Sequence, residues 1–467
     1  MKYIKIYPWI IGTLLLCVAC EDFVEVELPN HKITSETVFH SDETARSAMQ
    51  GIYNQLFNTS FANGGIQSVT FLSGVSADNF QLTTNVQEIR EFGQNNITAD
   101  NASNLSLWAG AYNVIYMVNS LLEGIENTPD LSEDVKRNLE GEAKFVRAFS
   151  YFYLTNLYRE VPLILQTDYQ QNAVAPRDAQ AAVYDQIVLD LYDAIELLPE
   201  TYTTGERTRP NRYAAMAFMA RVYLYVGDWQ QAAAMSSQVI SQASLYELLP
   251  NLDDLFLANS REAIWQISPL GWGGDFTHTR EGNLFIQNAT DNTPVALSND
   301  FIEVWEDPQD LRWNHWIALF EGEGENLYYA YKYKVSYDAS GGAITEYSMV
   351  MRLAEQYLIR AEARARMGNT AGAIEDLDKI RERAGTPLLA VVQPNPSPDE
   401  LLNLLLAERR KELFGEWGHR WLDLRRFENA VPLEEKEVAD WQATDWWYPI
   451  PQEERNKNPQ LSQNEGY

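Results

Sequence analysis

Residues 357–380 read YLIRAEARARMGNTAGAIEDLDKI. Ala361 stands seven positions before Gly368, and Ala373 five positions after it. An earlier stretch, MAFMARVYLYVGDWQQAAAMSSQVI (216–240), keeps the same offsets: Ala220 lies seven before Gly227, and Ala232 five after it. Two helices joined by a tight turn approach closely only where their facing side chains are small, because larger ones push the axes apart. Glycine at the turn takes the left-handed backbone that ends the first helix. Each stretch therefore predicts a helical hairpin.

These offsets match the tetratricopeptide (TPR) pattern of stacked hairpins. Helical periodicity continues elsewhere. In 34–57, TSETVFHSDETARSAMQGIYNQLF, Ser41 is the expected N-cap, and Ala48, Ile52, Gln55 and Leu56 share a face. From Leu105 to Ile125, Trp108, Tyr112, Ile115, Tyr116 and Asn119 recur at three and four. In GEAKFVRAFSYFYLTNLYREVP (141–162), Val146, Phe149, Tyr153, Leu154 and Leu157 form a buried stripe, and Pro162 is expected to end the helix. The interval 245–349 differs: EAIWQIS (262–268) and LYYAYKYKVSY (327–337) are β-prone, and glycine clusters GWGG (271–274) and EGEGE (321–325) lie between them. A second long loop is expected from Phe61 to Asn104. The fold class is mostly α: a TPR-like hairpin scaffold, mainly 34–58, 105–243 and 350–427, carrying a loop-rich variable half with a few short strands.

Both cysteines of the chain, Cys17 and Cys20, fall in LLLCVACEDF (14–23). A basic start, Met1-Lys2-Tyr3-Ile4-Lys5, and a short apolar run from Ile10 to Ala19 precede Cys20. That run is far below the ~20 apolar residues of a membrane span and reads as a secretory signal. Ala19 followed by Cys20 resembles a bacterial lipoprotein signal: residues 1–19 leave, Cys17 with them, and Cys20 is lipidated. The remaining 20–467 reads as a single domain of about 448 residues, with no thiol left for disulfides, zinc or catalysis. Glu21, Asp22, Glu25 and Glu27 follow at once and resemble a signal for display on the outer leaflet. With 36 Lys+Arg against 66 Asp+Glu, the net charge of −30 and the lack of a basic stripe argue against nucleic acid as a partner. The 13 Trp, 25 Tyr and 18 Phe argue against disorder and supply flat binding surfaces.

Searches for catalytic patterns return nothing specific. The five histidines (His31, His40, His278, His315, His419) are scattered, without HExxH, a calcium loop, a nucleophile elbow or a phosphate loop. No catalytic residue, metal site or cofactor is expected. The run LLNLLLAERRKELFGEWGHRWLDLRRF (401–427) is more specific. Glu408, Arg409, Glu412, Arg420, Asp423 and Arg425 carry both signs in near balance, beside Trp421. They read as buried carboxylate–guanidinium pairs in preference to a charged ligand site.

ERRKELFGEWGHRWLDLRR (408–426), AEQYLIRAEARARMGN (354–369) with AIEDLDKIRERAG (373–385), GEAKFVRAFSYFYLTNLYREVPL (141–163) and the terminal WWYPIPQEERNKNPQLSQNEGY (446–467) together resemble the SusD/RagB family of nutrient-binding lipoproteins. The resemblance implies outer-membrane attachment facing the exterior and a SusC-like TonB-dependent β-barrel transporter as partner. It implies capture of oligosaccharides, or of peptides, for import without catalysis. Sugar rings lay C–H faces on aromatic side chains while polar groups take their hydroxyls. Candidate ligand residues from the variable loops are Asp78 and Asn79 in SADNF, Trp272 and Phe276 beside the glycines, Trp313 and Trp316 in DLRWNHW, and Tyr329, with Tyr328 and Tyr331, in YYAYKY. GWGG leaves Trp272 small neighbours, which makes it the leading candidate. Two rival readings are a surface glycoside hydrolase and a TPR adaptor for proteins.

Buried acyl carbons contribute ~0.8 kcal/mol per CH₂, so more than one chain gives lasting attachment. Cys20→Ala is accordingly expected to move the protein out of the membrane fraction. Continued membrane association would refute the anchor.

Overall fold

The computed structural model describes residues 38–272, 275–287, 293–305, 307–322, 326–436 and 441–467, with Gly271 and Trp272 as backbone only. Cys17, Cys20 and the acidic run after them lie outside the described residues, as does the side chain of Trp272.

The frame is helical. Its helices are α1 (Asp42–Asn58), α2 (Ala102–Glu126), α3 (Glu133–Tyr158), α4 (Gln180–Leu197), α5 (Arg212–Val226), α6 (Trp229–Ile240), α7 (Leu353–Arg366), α8 (Thr370–Ala384), α9 (Pro398–Leu413) and α10 (His419–Arg426). From α2 to α6 each packs on the next in sequence, and α6 then packs on α7 and α7 on α8, so the two repeated hairpins lie side by side. Ala220, Ala232, Ala361 and Ala373 are all fully buried, at the contacts their spacing predicts. Gly227 and Gly368 adopt φ of +80° and +78° at the two turns, a conformation that strains any residue with a Cβ. Ser41 caps α1, accepting from the Thr44 amide, although the buried face runs through Ala45, Met49, Ile52, Tyr53 and Leu56. α3 is buried along almost its whole second half and stops at Tyr158, before Pro162: Arg159, at φ +67°, breaks it.

Short strands carry the variable half. β1 (Phe80–Leu82) pairs with β3 (Val295–Leu297), β2 (Ala263–Ile267) with β6 (Ser348–Arg352), and β4 (Ile317–Glu321) with β5 (Asn326–Ala330), all antiparallel. The expected loop over 61–104 contains regular elements across about half its length and is mostly buried over 61–80. It forms the helix Val69–Ser76, then β1, then the helix Gln87–Gly93. Its serines and glycine read as loop residues, but Ser73 and Ser76 turn their hydroxyls back onto the carbonyls of Val69 and Leu72, so they enter the core with their polar groups satisfied.

The variable half is held to the frame by charge. Glu412, on α9, receives Arg352 from the end of β6 at 2.5 Å, Arg312 at 3.1 Å, and Arg383 of α8. Arg312 also pairs with Asp310 and Glu408, at 2.8 and 2.7 Å. Arg352 and Arg383 share Glu262, while Lys332 reaches Glu416 at 2.6 Å. Burial alone would push the Glu412 carboxyl up; Arg383, Arg352 and Arg312 together hold it well below the usual carboxylate range. Farther along, Arg409 and Arg426 both grip Asp423, at 2.7 Å each. Trp421 is buried beside Trp446 and Tyr448 of the C-terminal segment. The run 401–427 is thus a structural ion network.

Removing one partner of a buried pair strands the others and costs about 3–5 kcal/mol. Glu412→Ala should lower the stability measured by urea unfolding by that order, and Glu412→Gln by less. A loss below about 1 kcal/mol for the alanine variant would place the network's weight elsewhere.

Candidate functional site

Where the helix Val69–Ser76 ends, its last carbonyls point toward a cleft of about 440 Å³. Unsatisfied carbonyls at a helix C-terminus attract cations. Lys436 fills that role, its ammonium donating to the carbonyls of Val75, Ser76 and Ala77 at 3.0, 3.1 and 2.7 Å. Burial pushes this ammonium down to about 8, against the pull of Asp78.

Asp78 follows directly and forms the floor. Arg420 of α10 grips it with two hydrogen bonds, at 2.6 and 2.8 Å, and Arg410 of α9 adds a contact at 2.8 Å. Arg410 also donates to the Asn79 amide oxygen at 2.7 Å. Burial raises the Asp78 carboxyl, but the two guanidiniums more than reverse this and hold it below its ordinary value. The walls are β1, locked in register with β3, and the helix Gln87–Gly93; Ser298 closes one side, donating to the Asp78 carbonyl at 2.7 Å. A Cβ at Gly93 would fall 2.6 Å from the Leu82 side chain, so glycine sets how closely helix and strand approach.

The floor is held by ion pairs; the lining above it is not. Gln81, Asn85, Arg90 and Gln94 line the cleft, and none of their side chains has a hydrogen-bond partner among the described residues. They offer amide donors, amide acceptors and a guanidinium to a polar ligand.

Aromatic surfaces lie elsewhere on the variable half. Phe276, His278 and Tyr337 form a cluster with ring centroids 5.1–5.9 Å apart, and Tyr337 is 63% exposed. Trp313 sits half-buried between Trp305 and Tyr328, at 6.1 and 5.4 Å. Among the described residues no group of three or more His, Cys, Asp or Glu is placed to hold a metal ion.

Two family comparisons meet this architecture. The family described as "Starch-binding associating with outer membrane" matches residues 22–224, and the SusD family matches residues 320–467. The chain belongs to the SusD/RagB family. A SusD-like protein, P25, of Formosa agariphila is 25% identical, over 97% of this chain and 97% of its own length. A SusD superfamily protein of Bacteroides vulgatus shares the fold with a TM-score of 0.79 at 21% identity, covering 92% of this chain and 100% of that one. A laminarin-binding SusD-like protein does so with a TM-score of 0.76 at 24% identity, covering 91% and 99%. No helix among the described residues is long and apolar enough to cross a membrane.

The ligand candidates read from sequence separate in this SusD fold. Trp316 is core: it is fully buried, with Lys332 over its ring at 4.6 Å and Arg352 at 5.7 Å. Asp78 and Asn79 are also buried and committed to the two arginines, so they shape the cleft floor and present little to a ligand. Phe276, Trp313 and Tyr329 are half-buried at the surface. Tyr337, the last residue of the β-prone run, and Gln81, Asn85, Arg90 and Gln94, inside a stretch that reads as loop, are not among the residues that the sequence nominates.

A carboxylate with a depressed folded-state pKa adds stability above its unfolded value and loses it as pH falls through the folded one. Asp78→Asn should therefore destabilise most above about pH 4, near the unfolded carboxylate value. The gap to the native chain should close at lower pH, as followed by urea unfolding across a pH series. A gap that stays constant into acid would show that Asp78 does not act through its charge.

Proposed function

We propose that this SusD-family protein is a lipid-anchored outer-membrane protein facing the cell exterior. It captures nutrient oligosaccharides in the cleft between β1 and the helix Gln87–Gly93 and passes them to a TonB-dependent β-barrel transporter. The observation that carries the reading is the contrast within the cleft. Its floor is cross-linked by Arg410 and Arg420, while four polar side chains above remain unengaged. A fixed base with free donors and acceptors binds a hydroxyl-rich ligand without reorganising first. The family description names starch, and a structural neighbour is named for binding laminarin; both are polysaccharides.

Binding without cleavage suits the carboxylates available. Glycoside hydrolysis needs one carboxylic acid whose raised pKa keeps its proton for the leaving group. Asp78 is held the other way, below its ordinary value, by two guanidiniums. The exposed ring of Tyr337, backed by Phe276 and His278, and the side chain of Trp272 are proposed as platforms for further sugar rings.

Titration calorimetry of the chain lacking residues 1–20 against neutral glycans and peptides tests this. Glycans are expected to bind without new reducing ends. A neutral hydrogen bond contributes about 0.5–1.5 kcal/mol, so Asn85→Ala and Gln94→Ala should each weaken retention by about three- to tenfold, with little change in thermal midpoint. Release of reducing ends, or affinity for peptides alone, would overturn the reading, as would isolation of the lipidated protein from solubilised outer membranes with no barrel partner.

A further inference from the structure

Among the described residues, four cations lie in or directly behind the cleft lining against two carboxylates. Arg90 and Lys436 line it, Arg410 and Arg420 stand behind its floor, and the acids are Asp78 and Asp300. This is the reverse of the balance in the whole chain, whose formal net charge is −30. The imbalance is built into the contacts. Asp78 alone makes ion pairs with the two guanidiniums of the floor, while Asp300 acts on Arg410 without an ion-pair contact. Lys436 hydrogen-bonds only carbonyl oxygens among the described residues and feels Asp78 without an ion-pair contact to it. Arg90 is exposed at the rim and makes no hydrogen bond or ion pair among the described residues. The buried carboxylate on the same short helix, Glu91, is turned to Thr98 and Asn101 and is not part of the lining.

The acidic surface beyond the cleft opposes an anion only weakly. Salt screens exposed charges beyond about 8 Å at physiological ionic strength, so the groups bordering the cleft set its preference. A free guanidinium favours planar or tetrahedral oxyanions, which accept two of its hydrogen bonds together.

We propose that the cleft selects oligosaccharides bearing carboxylate or sulfate groups. The anionic group is drawn to Arg90 at the rim and to the Lys436 side of the floor, while Gln81, Asn85 and Gln94 take the hydroxyls. The inference rests on the cleft being the capture site and adds the chemical class of what it captures.

Calorimetry with three oligosaccharides of equal length tests it: an oligogalacturonate, a sulfated galactan fragment and a neutral laminari-oligosaccharide. One of the two anionic ligands is expected to bind about tenfold or more tightly than the neutral one at low salt, with the advantage shrinking as sodium chloride is raised. Which of them binds separates uronate from sulfate. Arg90→Gln should lower affinity for that ligand about tenfold and flatten its salt dependence, and Arg90→Lys should recover part of both. Neutral glycan binding as tightly as both anions would overturn this inference and leave glycan capture standing, as would an unchanged affinity in Arg90→Gln. Failure of every glycan to bind would overturn the capture reading and this inference with it.

Discussion

Glu412 is the point on which the molecule turns. One carboxylate accepts guanidiniums from the end of β6, from α8 and from the short helix Leu311–Trp316. Taking these ions out of water costs several kcal/mol each, offset only when every partner arrives in place. A partial assembly is worse than none, so the network admits one arrangement of the segments that meet there. Trp316 lies under Lys332, Arg352 and Arg383, giving the clustered cations an aromatic face as well as carboxylates. The variable half is thereby fixed at its base, and its loops are free to differ without loosening the frame.

The same helix links that network to the cleft. α9 turns Glu408 and Glu412 toward the ion cluster, while Arg410, between them in sequence, reaches Asp78 and Asn79. α10 adds Arg420 to the same floor and, three residues on, Asp423 to the pair with Arg409. The floor is thus an extension of the frame, not of the loops above it. Rigidity there favours binding, because a ligand then orders only the rim side chains.

Legibility in the sequence followed how locally each signal was determined. Alanine and glycine at fixed offsets report a contact between helices a few residues apart, and Ala220, Ala232, Ala361 and Ala373 lie where that rule puts them. The ion network was legible in kind, because both signs alternate within 408–426, but not in reach: Glu262, Arg312, Lys332 and Arg352 come from distant sequence. Asp78 and Trp316 look like ligand groups for the same reason that they are structural. A polar or aromatic residue in a loop-like stretch is conspicuous, and only its partners from other segments, Arg420 for Asp78 and Lys332 and Arg352 for Trp316, reveal that it is occupied. The helix Val69–Ser76 is hidden within 61–104 because serine signals a loop unless its hydroxyl can bond the preceding turn, which depends on the helix already existing.

The charge of the chain is distributed with the same logic. The side chains of Arg221, Arg312, Arg352, Arg383 and Arg409 are each no more than 4% exposed, and each is paired with carboxylate. These pairs are close to neutral, so the excess of 66 Asp+Glu over 36 Lys+Arg falls largely on the solvent-facing surface. On such a surface an exposed arginine without a partner is a local exception whose field reaches only about a Debye length. Over that distance Arg90 has the polar lining of the cleft around it and Lys436 on the same lining. A neutral sugar entering there gains hydrogen bonds alone; an acidic one also supplies the negative charge that the floor, with one carboxylate between two guanidiniums, leaves unmet.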